Sequence, residues 1–166
     1  LLTDKEATKG RIEAAWKRTL ERAPRNAVVV LYFAGHGVEL AGKNYLLNHG
    51  HEFSRTDVAV LARSTISFDV LMQDLAKAQG REGAGDLVGV FVIDACRETP
   101  EIMENAKLVE GGLAPVVPPK EAFVMFSAGV GQKASDGLAG DDNSPFATVL
   151  FSLWKDDLAL SEVAQR

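Results

Sequence analysis

The first of three strand-forming stretches reads Ala27-Val28-Val29-Val30-Leu31-Tyr32-Phe33. A short, continuous run rich in β-branched residues is typical of a strand buried on both faces, as in a parallel sheet. Runs of the same character follow at 88–93 and 122–127. Because amphipathic helix patterns alternate with these runs, the sequence predicts an α/β fold with a mostly parallel central sheet and helices on both faces.

Three helices are predicted around these strands. The first opens with the capping-box pattern Thr3-Asp4-Lys5-Glu6 and ends before Pro24. The second ends at Gly80, and the third begins at Ser144-Pro145, an N-cap followed by proline at the first helical position. Their apolar faces are marked by Ile12, Trp16 and Leu20; by Phe68, Leu71, Met72 and Leu75; and by Phe146, Val149, Leu150 and Leu153. A shorter strand is expected at Tyr45-Leu46-Leu47, and residues 54–66 show no clear pattern.

The composition suits one domain and excludes several classes of function. The chain has 166 residues, 46% of them hydrophobic, which is enough to bury a core. A net charge of -5 without a basic block argues against nucleic-acid binding, and no apolar run approaches the length of a membrane span. The single cysteine excludes an internal disulfide framework. A reducing compartment is the default for such a chain, so we expect it to be cytoplasmic.

Candidate catalytic groups follow the predicted strands. His36 comes after the first strand, Asp94 and Cys96 after the second, and Ser127 after the third. Because the carboxyl ends of parallel strands meet at one edge, these residues are expected to converge there. An imidazole beside a thiol lowers the pKa of the thiol and makes it nucleophilic. The glycines flanking His36 leave room for a substrate carbonyl, and the amides of Gly37 and Cys96 would form an oxyanion hole.

Each of these residues also has a structural interpretation. A single cysteine is more often an inert core residue, and a histidine at a strand end is usually structural. His36 and Cys96 each follow a buried strand and each lie among small residues, and this joint placement favours a catalytic role for the pair. An unrelated flavodoxin-like binding domain with a buried thiol is the alternative from another class.

The same motifs resemble the caspase-like cysteine peptidase superfamily, and most closely its bacterial metacaspase and paracaspase-like branch. The similar segments are Leu-Tyr-Phe-Ala-Gly-His-Gly at 31–37, Asn-Tyr-Leu-Leu at 44–47, Val-Ile-Asp-Ala-Cys-Arg at 92–97, and parts of 126–146. The caspase signature Gln-Ala-Cys-[Arg/Gln/Gly]-Gly is altered here, with Asp94 in place of the glutamine and Glu98 in place of the final glycine. Metacaspases and paracaspases carry aspartate at the first of these positions.

The resemblance implies a caspase-like three-layer fold over residues 1–166 and a peptide or protein substrate. It implies that Cys96 attacks the peptide carbonyl, that His36 handles protons, and that the Gly37 and Cys96 amides hold the oxyanion. Family domains normally begin with a further strand and helix, to which nothing here corresponds. We therefore expect an N-terminally incomplete domain whose sheet edge is exposed or filled by a missing N-terminal segment or a larger regulatory assembly.

Two carboxylates predict which residue the peptidase prefers before the scissile bond. Asp94 lies beside the nucleophile and Asp136 in the neighbouring glycine-rich loop, and Ser127 is expected in the same substrate site. Carboxylates lining one pocket favour Arg or Lys before the scissile bond, and bidentate contact makes Arg attractive. The alternatives to a substrate-binding role are a solvated loop carboxylate for Asp136 and a structural cap at the strand end for Asp94.

The segment 97–120 has the composition of a linker, with four prolines and two adjacent glycines. It corresponds to the segment that is cut when caspases are activated, and Lys107 and Lys120 are candidate sites for self-cleavage or for cleavage by a partner. An ordinary surface loop is the alternative. A catalytically idle caspase-like scaffold or regulatory domain is the alternative function for the whole chain.

No cofactor is predicted. The sequence His49-Gly50-His51-Glu52 lacks the spacing of zinc motifs. The acidic pairs at 141–142 and 156–157 do not resemble a calcium loop. Since some metacaspases require calcium, the sequence leaves calcium dependence open.

Overall fold

A computed structural model describes residues 1–40, 42–51, 58–96, 113–129 and 143–154. After a 3-10 turn at Asp4–Glu6, the elements are α1 (Lys9–Arg22), β1 (Val28–Leu40), β2 (Lys43–Leu46), α2 (Val58–Ser64), β3 (Ile66–Ser67), α3 (Phe68–Gln79), β4 (Val88–Cys96), β5 (Ala122–Phe126) and α4 (Pro145–Leu153). The strands form one sheet in the order β3-β2-β1-β4-β5. The strands β1, β4 and β5 are parallel, whereas β2 and β3 pair antiparallel, so the sheet is mixed. This is the predicted α/β fold.

The strand β1 is longer than predicted and has two different neighbours. Residues 28–36 pair in parallel with β4, and residues 37–40 pair antiparallel with β2. The prediction that the strand ends before His36 is wrong, because β4 pairs with it through His36 and β2 takes up the pairing from Gly37 onward. The second predicted strand likewise continues to Cys96. On the side away from β4, residues 28–35 have no strand neighbour within the described ranges.

The two faces of the sheet are packed differently. Helices α1 and α3 cover one face, where the buried side chains include Trp16, Leu20, Leu71, Leu75, Phe91 and Ile93. On the opposite face, Leu150 of α4 packs with Val90 and Val92 of β4. The first strand is not buried on both faces as predicted, since Val28 and Val30 are 60% and 44% exposed. The cluster beneath α4 is centred on β4 and leaves the start of β1 uncovered.

Helix ends follow local chemistry at some positions only. Ser144 caps α4 as predicted, because its Oγ accepts a hydrogen bond from the Ala147 N–H at 2.9 Å. The predicted capping box at Thr3 is wrong: α1 begins at Lys9, and the Thr3 side chain makes no capping bond. Val149, expected on the apolar face of α4, is 51% exposed. None of the helices in the described ranges is long and apolar enough to cross a membrane.

The second part of the linker-like loop is anchored to β2. The buried Asn44 side chain donates to the Ala114 carbonyl at 2.8 Å and accepts from the Ala114 N–H at 2.7 Å, as a neighbouring strand would. The Leu113 side chain beside it is buried in the main core cluster. The start of the described part of this segment, Leu113 and Ala114, is therefore held against the sheet. Residues 97–112, with Lys107, lie outside the described part of the chain.

Candidate active site

The strand register brings the two predicted dyad positions together. Cys96 is the last residue of β4, and its Cα is the register partner of the His36 Cα on β1. The His36 side chain is exposed, and its carbonyl accepts a hydrogen bond from the Leu47 N–H at 2.8 Å. The side chain of Cys96 lies outside the described part of the structure. The two backbones are adjacent, as the sequence predicted for neighbouring parallel strands.

The backbone of Gly37 is oriented by the same pairing. Successive residues of a strand direct their N–H and C=O groups to opposite sides. Since the His36 carbonyl faces β2, the Gly37 N–H faces β4, the strand that ends at Cys96. A Cβ at position 37 would lie 2.8 Å from Cδ2 of Leu113. Packing by Leu113 therefore disfavours a side chain at position 37, and the room for a substrate carbonyl beside it stays a prediction.

Asp94 is held by two hydroxyl groups. It is 8% exposed, and its Oδ2 accepts hydrogen bonds from Tyr32 Oη at 3.3 Å and from Ser144 Oγ at 2.5 Å. These bonds join β1, β4 and α4 at one carboxylate. The sequence indicated Asp94 but missed Tyr32 and Ser144 as its partners. Ser144 was recognisable as an N-cap, but only the packing of α4 reveals what its hydroxyl donates to.

The environment of Tyr32 disfavours its ionisation. Burial, the negative charge of Asp94 and the hydrogen bond to that carboxylate, in this order, raise the pKa of Tyr32 from 10.0 to about 12. Tyr32 is 39% exposed, so a phenolate there would lose part of its hydration and would also be repelled by Asp94. At neutral pH the phenol therefore serves as a hydrogen-bond donor.

We expect Tyr32→Phe to flatten the loss of stability at high pH. Because the pKa of Tyr32 is raised on folding, its contribution is complete below pH 10 and is lost as the pH rises towards about 12. Urea unfolding at intervals across this window would show a steeper fall in the free energy of unfolding for wild type than for Tyr32→Phe. Asp94→Asn should be intermediate, since burial remains. Parallel curves for wild type and Tyr32→Phe would contradict this assignment.

Ser127 lies next to Asp94 across the sheet. It directly follows β5, whose last registered pair is Ile93 with Phe126, and its N–H donates to the Ile93 carbonyl at 3.0 Å. Its Oγ is buried without a hydrogen-bond partner among the described residues. The structure thus brings together two of the three predicted substrate-site residues. The third, Asp136, lies outside the described residues.

Metal ligands are not grouped in the part of the chain that is described. No set of three His, Cys, Asp or Glu side chains there is arranged to hold an ion. His49 and His51 lie in the loop after β2, where the His49 N–H donates to the Ala7 carbonyl at 2.9 Å. Glu52 and the acidic pairs 141–142 and 156–157 fall outside the described ranges.

A comparison with known protein families identifies the family to which this chain belongs. The family model of the caspase domain matches residues 2–164, nearly the whole chain. The chain therefore belongs to the caspase domain family. The match confirms the resemblance to the caspase-like superfamily and the caspase-like fold, and it supports a caspase-like protease in general. The metacaspase and paracaspase-like branch stays a prediction. No curated protein matches the chain.

Proposed function

We propose that this chain is a cysteine endopeptidase that cleaves peptide bonds after Arg or Lys with a Cys96–His36 dyad. The observation that carries the proposal is the Cα register pairing of His36 with Cys96 at the end of β4. Membership of the caspase domain family supports the same chemistry. Adjacent positions on neighbouring strands support a site shared by a thiol and an imidazole.

The proposed reaction proceeds in two halves. The Cys96 thiolate attacks the carbonyl carbon, and the amides of Gly37 and Cys96 stabilise the oxyanion that forms. The C–N bond then breaks as His36 donates a proton to the leaving amine. Water, deprotonated by His36, attacks the thioester carbon, and breaking the C–S bond releases the acid and restores Cys96. The orientation of the Gly37 N–H towards β4 supports its role here.

The charge at Asp94 supports a basic residue before the scissile bond. Asp94 is buried, and its carboxylate forms no salt bridge with any Lys or Arg in the described ranges. A buried carboxylate without a cation is costly, so a cationic ligand would be bound favourably. The unpartnered Ser127 Oγ offers a further acceptor beside it. We propose Asp136 as a second carboxylate of this pocket.

Proteolytic processing in the 97–120 segment is part of the proposal. Lys120 is exposed in the turn before β5, and Ala114 is attached to β2 through Asn44. A cut upstream of Leu113 would therefore leave the two pieces associated. We propose processing there as the activating step.

A panel of fluorogenic peptides tests the function. The peptides differ only in the residue before the cleaved bond, which is Arg, Lys, Asp or the uncharged arginine isostere citrulline, and each is assayed with and without calcium. We expect Arg and Lys peptides to be cleaved at least about tenfold faster than the others, and Cys96→Ala to cleave none. Intact masses of both proteins would show whether the 97–120 segment is cut and whether Cys96 cuts it.

Two results would contradict the proposal. Faster cleavage after Asp than after Arg would refute the basic specificity. No cleavage of any peptide, with or without calcium and before or after processing, would favour the idle scaffold.

A further inference from the structure

The two oxygens of the Asp94 carboxylate differ in the hydrogen bonds that they accept. Both hydroxyl groups that reach it, Tyr32 Oη and Ser144 Oγ, donate to the same oxygen, Oδ2. No hydrogen bond from the described residues reaches Oδ1. A carboxylate oxygen accepts about two hydrogen bonds through its lone pairs, so the capacity of Oδ2 is used up. As far as the described residues are concerned, Oδ1 is the oxygen left for a ligand.

From this asymmetry we propose that Tyr32 and Ser144 are positioning residues that make Asp94 a single-oxygen acceptor, which binds Arg and Lys side chains alike. The inference rests on the proposed function and refines its specificity. A guanidinium gains its advantage over an ammonium by donating two parallel hydrogen bonds to two carboxylate oxygens. With Oδ2 occupied, this advantage is absent at Asp94. The structure thus argues against the bidentate arginine contact expected from the sequence.

The two hydroxyls are themselves held in place. Ser144 Oγ accepts from the Ala147 N–H while it donates to Asp94, so turning away would break two hydrogen bonds. The ring of Tyr32 contacts the ring of Phe151, with centroids 5.7 Å apart. Both contacts tie the carboxylate to α4. The position of this helix therefore decides which oxygen of Asp94 is available.

Removing the hydroxyls tests the inference. The variants are Tyr32→Phe and Ser144→Gly, alone and combined; glycine is chosen because it replaces a serine N-cap at a cost of only a few tenths of a kcal/mol. The readout is the ratio of kcat/KM for two peptides that differ only in Arg or Lys before the cleaved bond. We expect the Arg:Lys ratio to rise about tenfold in the double variant, because the freed Oδ2 permits bidentate contact.

Two further variants show whether the effect passes through Asp94. Ser144→Thr, made in a chain with Tyr32 intact, keeps a hydroxyl group at position 144. It should therefore leave the Arg:Lys ratio at its wild-type value. Asp94→Asn, combined with the double variant, should abolish the rise in the ratio. A rise that persists without the Asp94 carboxylate would overturn the inference.

The outcomes separate this inference from the proposed function. An active wild type with an unchanged Arg:Lys ratio in the double variant refutes the inference alone. The same holds if both peptides lose activity equally, since a structural role would lower both rates and leave their ratio unchanged. A wild type that cleaves no peptide refutes the proposed function, and the inference with it.

Discussion

Cys96→Ala is expected to lower kcat/KM for an Arg peptide by at least about 10⁴-fold, and His36→Ala to lower it nearly as much. The register pairing of the two Cα atoms places the two residues side by side on neighbouring strands, as the proposed dyad requires. If one side chain attacks and the other transfers the proton, removing either disables the same step. The double variant should therefore be no slower than Cys96→Ala alone.

Initial rates with the four proteins measure this, and His49→Ala is the matched control. His49 is a histidine in the loop after β2, held by its backbone to Ala7, and the proposed mechanism does not use it. Its replacement should leave kcat/KM within about twofold of wild type. If Cys96→Ala kept a tenth of the wild-type activity, the nucleophile would be another group. If the two single losses multiplied in the double variant, the residues would act independently.

Gly89→Ala is expected to destabilise the fold by about 3 kcal/mol. Gly89 lies on β4 beneath α3, where an added Cβ would be 2.1 Å from Cδ2 of Leu75 and 3.2 Å from its Cγ. Leu75 is fully buried, so its side chain cannot move into solvent. The added methyl group must therefore push α3 away from the strand that ends at Cys96.

Urea unfolding of wild type and variant measures the loss. Gly10→Ala is the control, because a Cβ at this exposed position of α1 has nothing within 4 Å. Helix propensity should leave that variant equal to wild type or slightly more stable. A loss below about 0.5 kcal/mol for Gly89→Ala would show that the interface between α3 and β4 can adapt.

Local patterns in the sequence were sufficient to predict most of the helices and strands. The strands at 88–96 and 122–126 and helix α3 follow from runs and periodicities that each segment carries by itself. The serine cap of α4 is equally local. The pairing of His36 with Cys96 was also predictable, since neighbouring parallel strands have adjacent carboxyl ends. Elements with little internal pattern were missed, as α2 and β3 show.

Contacts between distant segments needed the tertiary structure. The extension of β1 through His36 depends on pairing with β4, and beyond it on pairing with β2. The close packing of Leu113 against Gly37 likewise joins positions far apart in the chain. Tyr32 and Ser144 meet at Asp94 because strand register and the packing of α4 bring them there. The sequence by itself therefore determined the main strands and helices and the adjacency of His36 and Cys96, because periodicity and capping act over a few residues and parallel strands end at one edge. Only the tertiary structure decided which oxygen of Asp94 the hydroxyl groups of the described residues occupy, since Tyr32 of β1 and Ser144 at the start of α4 must meet at the carboxylate on β4.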